Sequence, residues 1–138
     1  MNKKFSYTLK IYYEDTDAGG VVYHSNYLKY LERARSEAIY TLDLSNKLLY
    51  QKYGIFILVK SCNIDYIKPA FFEDKIEVIS KVISFSKTSF KMDQKIYRKK
   101  QILTSAIIHL VVVNKKSKPT KIPDVLRKAL ELKKFKQD

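Results

Sequence analysis

The chain has one cysteine, three glycines, three prolines and no tryptophan in 138 residues. A lone Cys62 excludes an internal disulfide framework and any thiolate-rich metal site, and points to a reducing compartment, the cytoplasm. So few glycines and prolines allow few tight turns, so the secondary-structure elements should be long. Acidic side chains are scarce as well: 14 against 27 lysines and arginines, for a formal charge of +13. There is no long hydrophobic run. Ala106 to Val113, interrupted by His109, is the longest and is too short to span a bilayer. Phe5 to Tyr13 alternates apolar and polar residues where a signal segment would be continuously apolar. No Gly-rich phosphate loop, zinc-finger spacing or nucleic-acid motif accompanies the positive charge, which is read as a lysine-rich solvated surface and not as a nucleic-acid footprint. Anionic partners with phosphate groups or an acidic carrier protein remain compatible with it.

What is present belongs to an ordinary globular chain, 46% hydrophobic and 30% charged. Residues 1–138 are expected to form a single domain. Phe5, Tyr7, Leu9, Ile11 and Tyr13 share one face of a strand. A helix is expected over 25–40, with Tyr27, Leu31, Ala34 and Ala38 inward, Glu32, Arg33 and Glu37 outward, and Ser25 or Asn26 as its cap. A second helix spans 45–53 and stops at Gly54. Strands follow at 55–59, 62–67, 75–85, 90–96 and 102–113, the last apolar on both faces as a central strand should be. A terminal helix from Asp124 turns Val125, Leu126, Ala129 and Leu130 inward. The order predicts an α+β fold, a curved antiparallel sheet wrapped around one long helix, with an open strand edge that invites dimerisation.

Against so basic a background, Glu14, Asp15 and Asp17 crowd into four residues, followed by Gly19-Gly20 and His24 at the helix start. A carboxylate beside a helix N-terminus can meet a carbonyl held on open backbone N–H groups, as nucleophile or as base toward water. Gly19 and Gly20 let a substrate approach the backbone. By residue type alone, Asp17 reads more readily as a turn or capping aspartate than as a catalytic one, Glu14 and Asp15 more so, and His24 equally as a structural histidine. His109, inside an apolar strand, reads as packing. The two histidines lie in separate elements without paired spacing, so no metal site is expected. Ser86-Lys87-Thr88-Ser89 between two strands is either a phosphate-binding loop or a plain polar hairpin turn.

Residues 12–35, YYEDTDAGGVVYHSNYLKYLERAR, closely resemble the signature of hotdog-fold acyl-CoA thioesterases, within the YbgC-like branch of the 4-hydroxybenzoyl-CoA thioesterase family. Asp65-Tyr66-Ile67-Lys68-Pro69-Ala70, Asp74, and the Lys118-Pro119 and Ile122-Pro123 pairs extend the resemblance over nearly the whole chain. It implies a hotdog fold and hydrolysis of an acyl-CoA thioester without cofactor or metal. Asp17 matches the catalytic carboxylate, His24 the position whose N–H polarises the carbonyl, and Tyr13 a pocket tyrosine. Gly19, Gly20, Val21, Tyr23 and Ser61 then belong to the substrate side, and Ser86, Lys87 and Ser89 fall where relatives bind coenzyme A phosphates. It further implies a homodimer or homotetramer with shared sites; acyl carrier protein, an acidic partner, is compatible with the positive charge. Two other readings fit the same loop: a hotdog-fold enoyl-CoA hydratase or dehydratase, and a non-catalytic acyl-CoA or acyl-carrier-binding module.

Overall fold

The computed structural model describes residues 4–132. Alternation of apolar and polar residues gives strand β1 (Lys4–Lys10), and the period changes to that of a helix in α1 (His24–Tyr40). Helix α2 (Asn46–Tyr53) follows, then β2 (Ile55–Tyr66), β3 (Lys75–Phe85), β4 (Ser89–Arg98), β5 (Gln101–Asn114) and α3 (Asp124–Leu132). The strands form one antiparallel sheet in the order β1-β3-β4-β5-β2. Strand β5 is therefore interior, as its apolar faces predicted, and β1 and β2 are the edges.

The sheet wraps α1, which buries Tyr27, Tyr30, Leu31, Ala34, Ala38 and Ile39 against it. From the sheet, Val78, Ile96, Leu103, Ile108 and Val112 enter the same core. Small side chains at 34 and 38 let the helix lie close to the strands. One polar device pins it there. Gln94 of β4, fully buried, donates from Nε2 to the Leu31 carbonyl at 3.0 Å and to Ser80 Oγ at 2.9 Å, and accepts from Arg35 Nη1 at 3.0 Å. Replacing Gln94 with Ala leaves these buried groups unpaired beside a cavity, so it should destabilise the fold by about 2 kcal/mol or more, read as a lower urea midpoint.

Most elements lie where the sequence placed them. Ser45 caps α2, its hydroxyl accepting from Leu48 N–H at 3.0 Å, and Gly54 ends it with φ 67°. Several expectations are corrected. Strand β1 stops at Lys10 and Tyr13 lies in a 3-10 turn (Tyr13–Asp15), 77% exposed, so it leaves the face shared by Phe5 and Ile11. Helix α1 begins at His24 without a side-chain cap on its first turn, because the Asn26 amide donates to the Asp15 carbonyl instead. The two segments at 55–59 and 62–67 are one strand with a register shift between Val59 and Ser61, a bulge that absorbs an extra residue. Val125 faces solvent while Leu126, Ala129 and Leu130 are buried.

Candidate active site

The acidic loop is a closed backbone turn. Asp17 N–H donates to the Val21 carbonyl at 2.9 Å, Gly20 N–H donates to the Asp17 carbonyl at 3.0 Å, and Thr16 bridges Val22. Gly20 makes the turn possible with φ 82°. The side chain of Asp17 is held from within the loop. Its Oδ1 accepts from Gly19 N–H at 2.8 Å and from Val21 N–H at 3.4 Å, the second a weak bond by length. Oδ2 makes no hydrogen bond among the described residues, which leaves one carboxylate oxygen available to a substrate or water.

Asp15 ties this loop to α1. Its Oδ2 accepts from Tyr12 N–H at 2.9 Å, and its carbonyl accepts from Tyr23 N–H at 3.2 Å and from Asn26 Nδ2 at 2.8 Å. The expectation that Asp15 shapes the loop is thus given a structural form. Because no side chain caps α1, the first N–H groups of the helix, those of His24 and Ser25, are left to a ligand.

Asp17, Val21, Val22, Tyr23 and His24 line one cleft of about 460 Å³, closed on the other side by Tyr27, Tyr66, Ile67, Lys68 and Pro69. The His24 ring meets Tyr66 edge-on, centroids 4.7 Å apart. Burial pushes the Tyr66 phenol above its usual range, so it stays protonated and points its O–H toward the His24 carbonyl at 3.4 Å. Tyr27 is likewise raised by burial, and its hydroxyl accepts from Ala70 N–H at 3.0 Å, tying the segment after Pro69 to α1. Burial raises the Cys62 pKa and keeps it a thiol, Arg35 opposing only in part.

Tyr13 lies outside this cleft lining, its ring tilted against Phe72 at 5.3 Å. Ser61 pairs with His109 midway along β2. Ser86, Lys87 and Ser89 form the β3–β4 turn, knotted by a 2.6 Å contact between the two serine hydroxyls and by His109 Nε2 at 3.0 Å from Ser89 Oγ. Within one chain that turn is at the far end of β3 from the acidic loop, about 30 Å along an eleven-residue strand. His109, read as packing, proves to hold the serine turn through its ring. Tyr66 to Pro69 were visible as a motif but not as a wall of the site, because nothing local reveals that β2 ends beside α1.

Gly20 provides a test of the loop. A Cβ there would stand 3.1 Å from the Phe72 ring on a backbone that L residues rarely adopt. Gly20→Ala should cost about 1–2 kcal/mol of stability and displace Asp17, lowering turnover roughly ten-fold; thermal melts and thiol-release assays read the two effects.

A five-stranded antiparallel sheet curled around a helix whose N-terminus meets an acidic loop is the hotdog architecture of thioesterases. The chain belongs to the thioesterase-like superfamily, whose model it matches over residues 12–130. It is 34% identical over 130 residues to the acyl-CoA thioesterase YbgC of Haemophilus influenzae, covering 94% of this chain and 96% of that one. It is 35% identical over 121 residues to the acyl-CoA thioester hydrolase YbgC of Escherichia coli O6:H1, covering 86% and 90%. The crystal structure of a probable thioesterase from Bartonella henselae superposes with a TM-score of 0.84 at 28% identity, over 87% of this chain and 99% of that one.

Proposed function

We propose that the Asp17 cleft hydrolyses acyl-CoA thioesters to the free acid and coenzyme A. The protein is a thioester hydrolase of its family, and the observation that carries the assignment is the Asp17 carboxylate, one oxygen fixed by the loop and the other open into a cleft at the uncapped start of α1. The thioester carbonyl docks on the N–H groups of His24 and Ser25, where the helix dipole favours the developing oxyanion. Asp17 Oδ2 then takes a proton from the attacking water, or attacks the carbonyl itself to give an anhydride that water opens; coenzyme A departs as the thiol in both. Gly19, Gly20, Val21 and Tyr23 present the backbone along which the acyl thioester lies.

The same reading includes a dimer. Strand β2 is an edge of twelve residues, with Leu58 45%, Val59 50% and Tyr66 42% exposed, an apolar edge of the kind soluble monomers avoid. Antiparallel pairing of two β2 edges about a two-fold axis sets the C-terminal end of β2, beside His24, against the N-terminal end of β2 of the second copy. That end also carries Ser86, Lys87 and Ser89, so a serine turn about 30 Å away within one chain comes to the Asp17 cleft of the other. Ser61 lies at mid-strand on the same edge, and Tyr13 stands beside the acidic loop through Phe72, the ring that neighbours Gly20. A homotetramer is a pair of such dimers. Acyl carrier protein, which presents the same thioester on an acidic surface, is a second partner for a chain of charge +13. Cytoplasmic placement goes with a free Cys62 in a chain without a disulfide.

Thiol release from a panel of acyl-CoAs, short and long, aliphatic and aromatic, tests the activity; no release from any of them overturns it.

A further inference from the structure

We infer that the Tyr50–Phe56 aromatic pair, with Lys115, is a binding platform for the adenine nucleotide end of coenzyme A. This rests on the hydrolase reading above. The two rings stack with centroids 4.7 Å apart and planes at 29°, at the junction of α2 and β2. Both residues are exposed to solvent, Tyr50 by 40% and Phe56 by 42%. Lys115, from the turn after β5, places its Nζ 5.5 Å from the centre of the Tyr50 ring. Lys52 lies likewise over Tyr53, at 5.5 Å.

The segments that meet here are rich in lysine. Residues 44–60 and 112–121 meet here, and neither stretch contains an aspartate or glutamate, while Lys47, Lys52, Lys60, Lys115, Lys116, Lys118 and Lys121 all belong to them. Lys121 has a carboxylate neighbour, Asp124, at 3.7 Å. Stacked aromatic rings bordered by ammonium groups suit a ligand with a flat base and phosphates: the base lies on ring surface while lysines meet the phosphates. An apolar partner surface would have to desolvate those lysines without compensation.

Position agrees with chemistry. Phe56 pairs with Val113 of β5 and Ser89 pairs with Val111 on the other side of the same strand. The platform and the serine turn therefore stand about 10–12 Å apart at one end of the sheet. In the β2-paired dimer this is the end that faces the Asp17 cleft of the second copy. The nucleotide is thus seated on one subunit while its thioester reacts on the other.

The test compares a thioester carrying the full nucleotide with one that ends at pantetheine, the acyl group being the same. In the full-length protein, Tyr50→Ala and Lys115→Gln should each raise KM for acyl-CoA, together about ten-fold or more, with kcat little changed and acyl-pantetheine hydrolysis unaltered. Adenosine 3′,5′-bisphosphate should compete with acyl-CoA on wild type and lose that effect in the double variant. Lys115→Gln is a surface change, so it reads the platform even if Tyr50→Ala disturbs α2. Equal loss on both thioesters, or no change in KM for acyl-CoA, overturns the platform. If wild type hydrolyses neither thioester, the hydrolase reading falls by itself. Calorimetric titration with adenosine 3′,5′-bisphosphate then decides the platform: binding weakened by both substitutions upholds it, and absent or unchanged binding overturns it.

Discussion

Asp17→Asn should lower kcat for acyl-CoA hydrolysis by about 10²–10⁴-fold, with KM and thermal stability nearly unchanged. The amide keeps an oxygen for the Gly19 N–H, which Asp17 Oδ1 accepts at 2.8 Å, so the loop retains its shape. What is lost is the charge on the second oxygen. An amide can neither remove a proton from water nor attack a thioester, whereas docking of the carbonyl on the His24 and Ser25 N–H groups does not involve Asp17. A split of this kind, kcat down and KM kept, separates chemistry from a loop-forming role; a structural aspartate would instead move the melting temperature. Equal rates for wild type and Asp17→Asn would remove Asp17 from the mechanism.

The second large effect concerns the sheet edge. Leu58→Lys with Val59→Lys places paired positive charges on β2, whose exposed apolar residues lie along the proposed axis. In an antiparallel pair the charges of one copy meet those of the other, in a chain already at +13. Light scattering should report a monomer with unchanged circular dichroism, because both residues are solvent-facing and the core of α1 against the sheet is untouched. Activity should fall about 100-fold, since the cleft loses the second copy's end of the sheet and misplacement of a substrate by about 1 Å already costs that much. A monomer with full activity would show that each chain carries a complete site.

Local patterns made much of this molecule legible. A period of two named the faces of β4, where Phe90, Met92, Gln94 and Ile96 are all buried, and a period near 3.6 named the inner face of α1. Ser45 and Gly54 bracketed α2 because a cap and a left-handed stop are written in single residues. The acidic loop was legible for a similar reason: glycines, carboxylate and helix start are contiguous, and Asp17, Val21, Tyr23 and His24 do share one cleft. Periodicity does not say which strand lies beside which. Tyr66 and Lys68 close the cleft from forty residues away, through a sheet register that only the whole fold determines. The same limit hid the separation of the Ser86 turn from Asp17 and the role of Gln94, whose amide looks from the sequence like any inward residue. Tyr13 was misread as strand because alternation continues past Lys10, while the Asp15 carboxylate bonding Tyr12 N–H turns the backbone aside.

The central claim is that this cleft cleaves a thioester with water, and product analysis in H₂¹⁸O tests it most directly. With a saturated acyl-CoA and its enoyl counterpart as substrates, the wild-type protein should release coenzyme A thiol and a free acid carrying ¹⁸O in its carboxyl group. Asp17→Asn should form both about 10²–10⁴-fold more slowly. In a single turnover, ¹⁸O in the Asp17 side chain together with an unlabelled acid identifies an anhydride opened at Asp17, whereas base catalysis labels the acid and leaves Asp17 unlabelled, as does an anhydride opened at the acyl carbon. Hydroxyacyl-CoA with its thioester intact, or tight acyl-CoA binding with no product at all, would contradict the account.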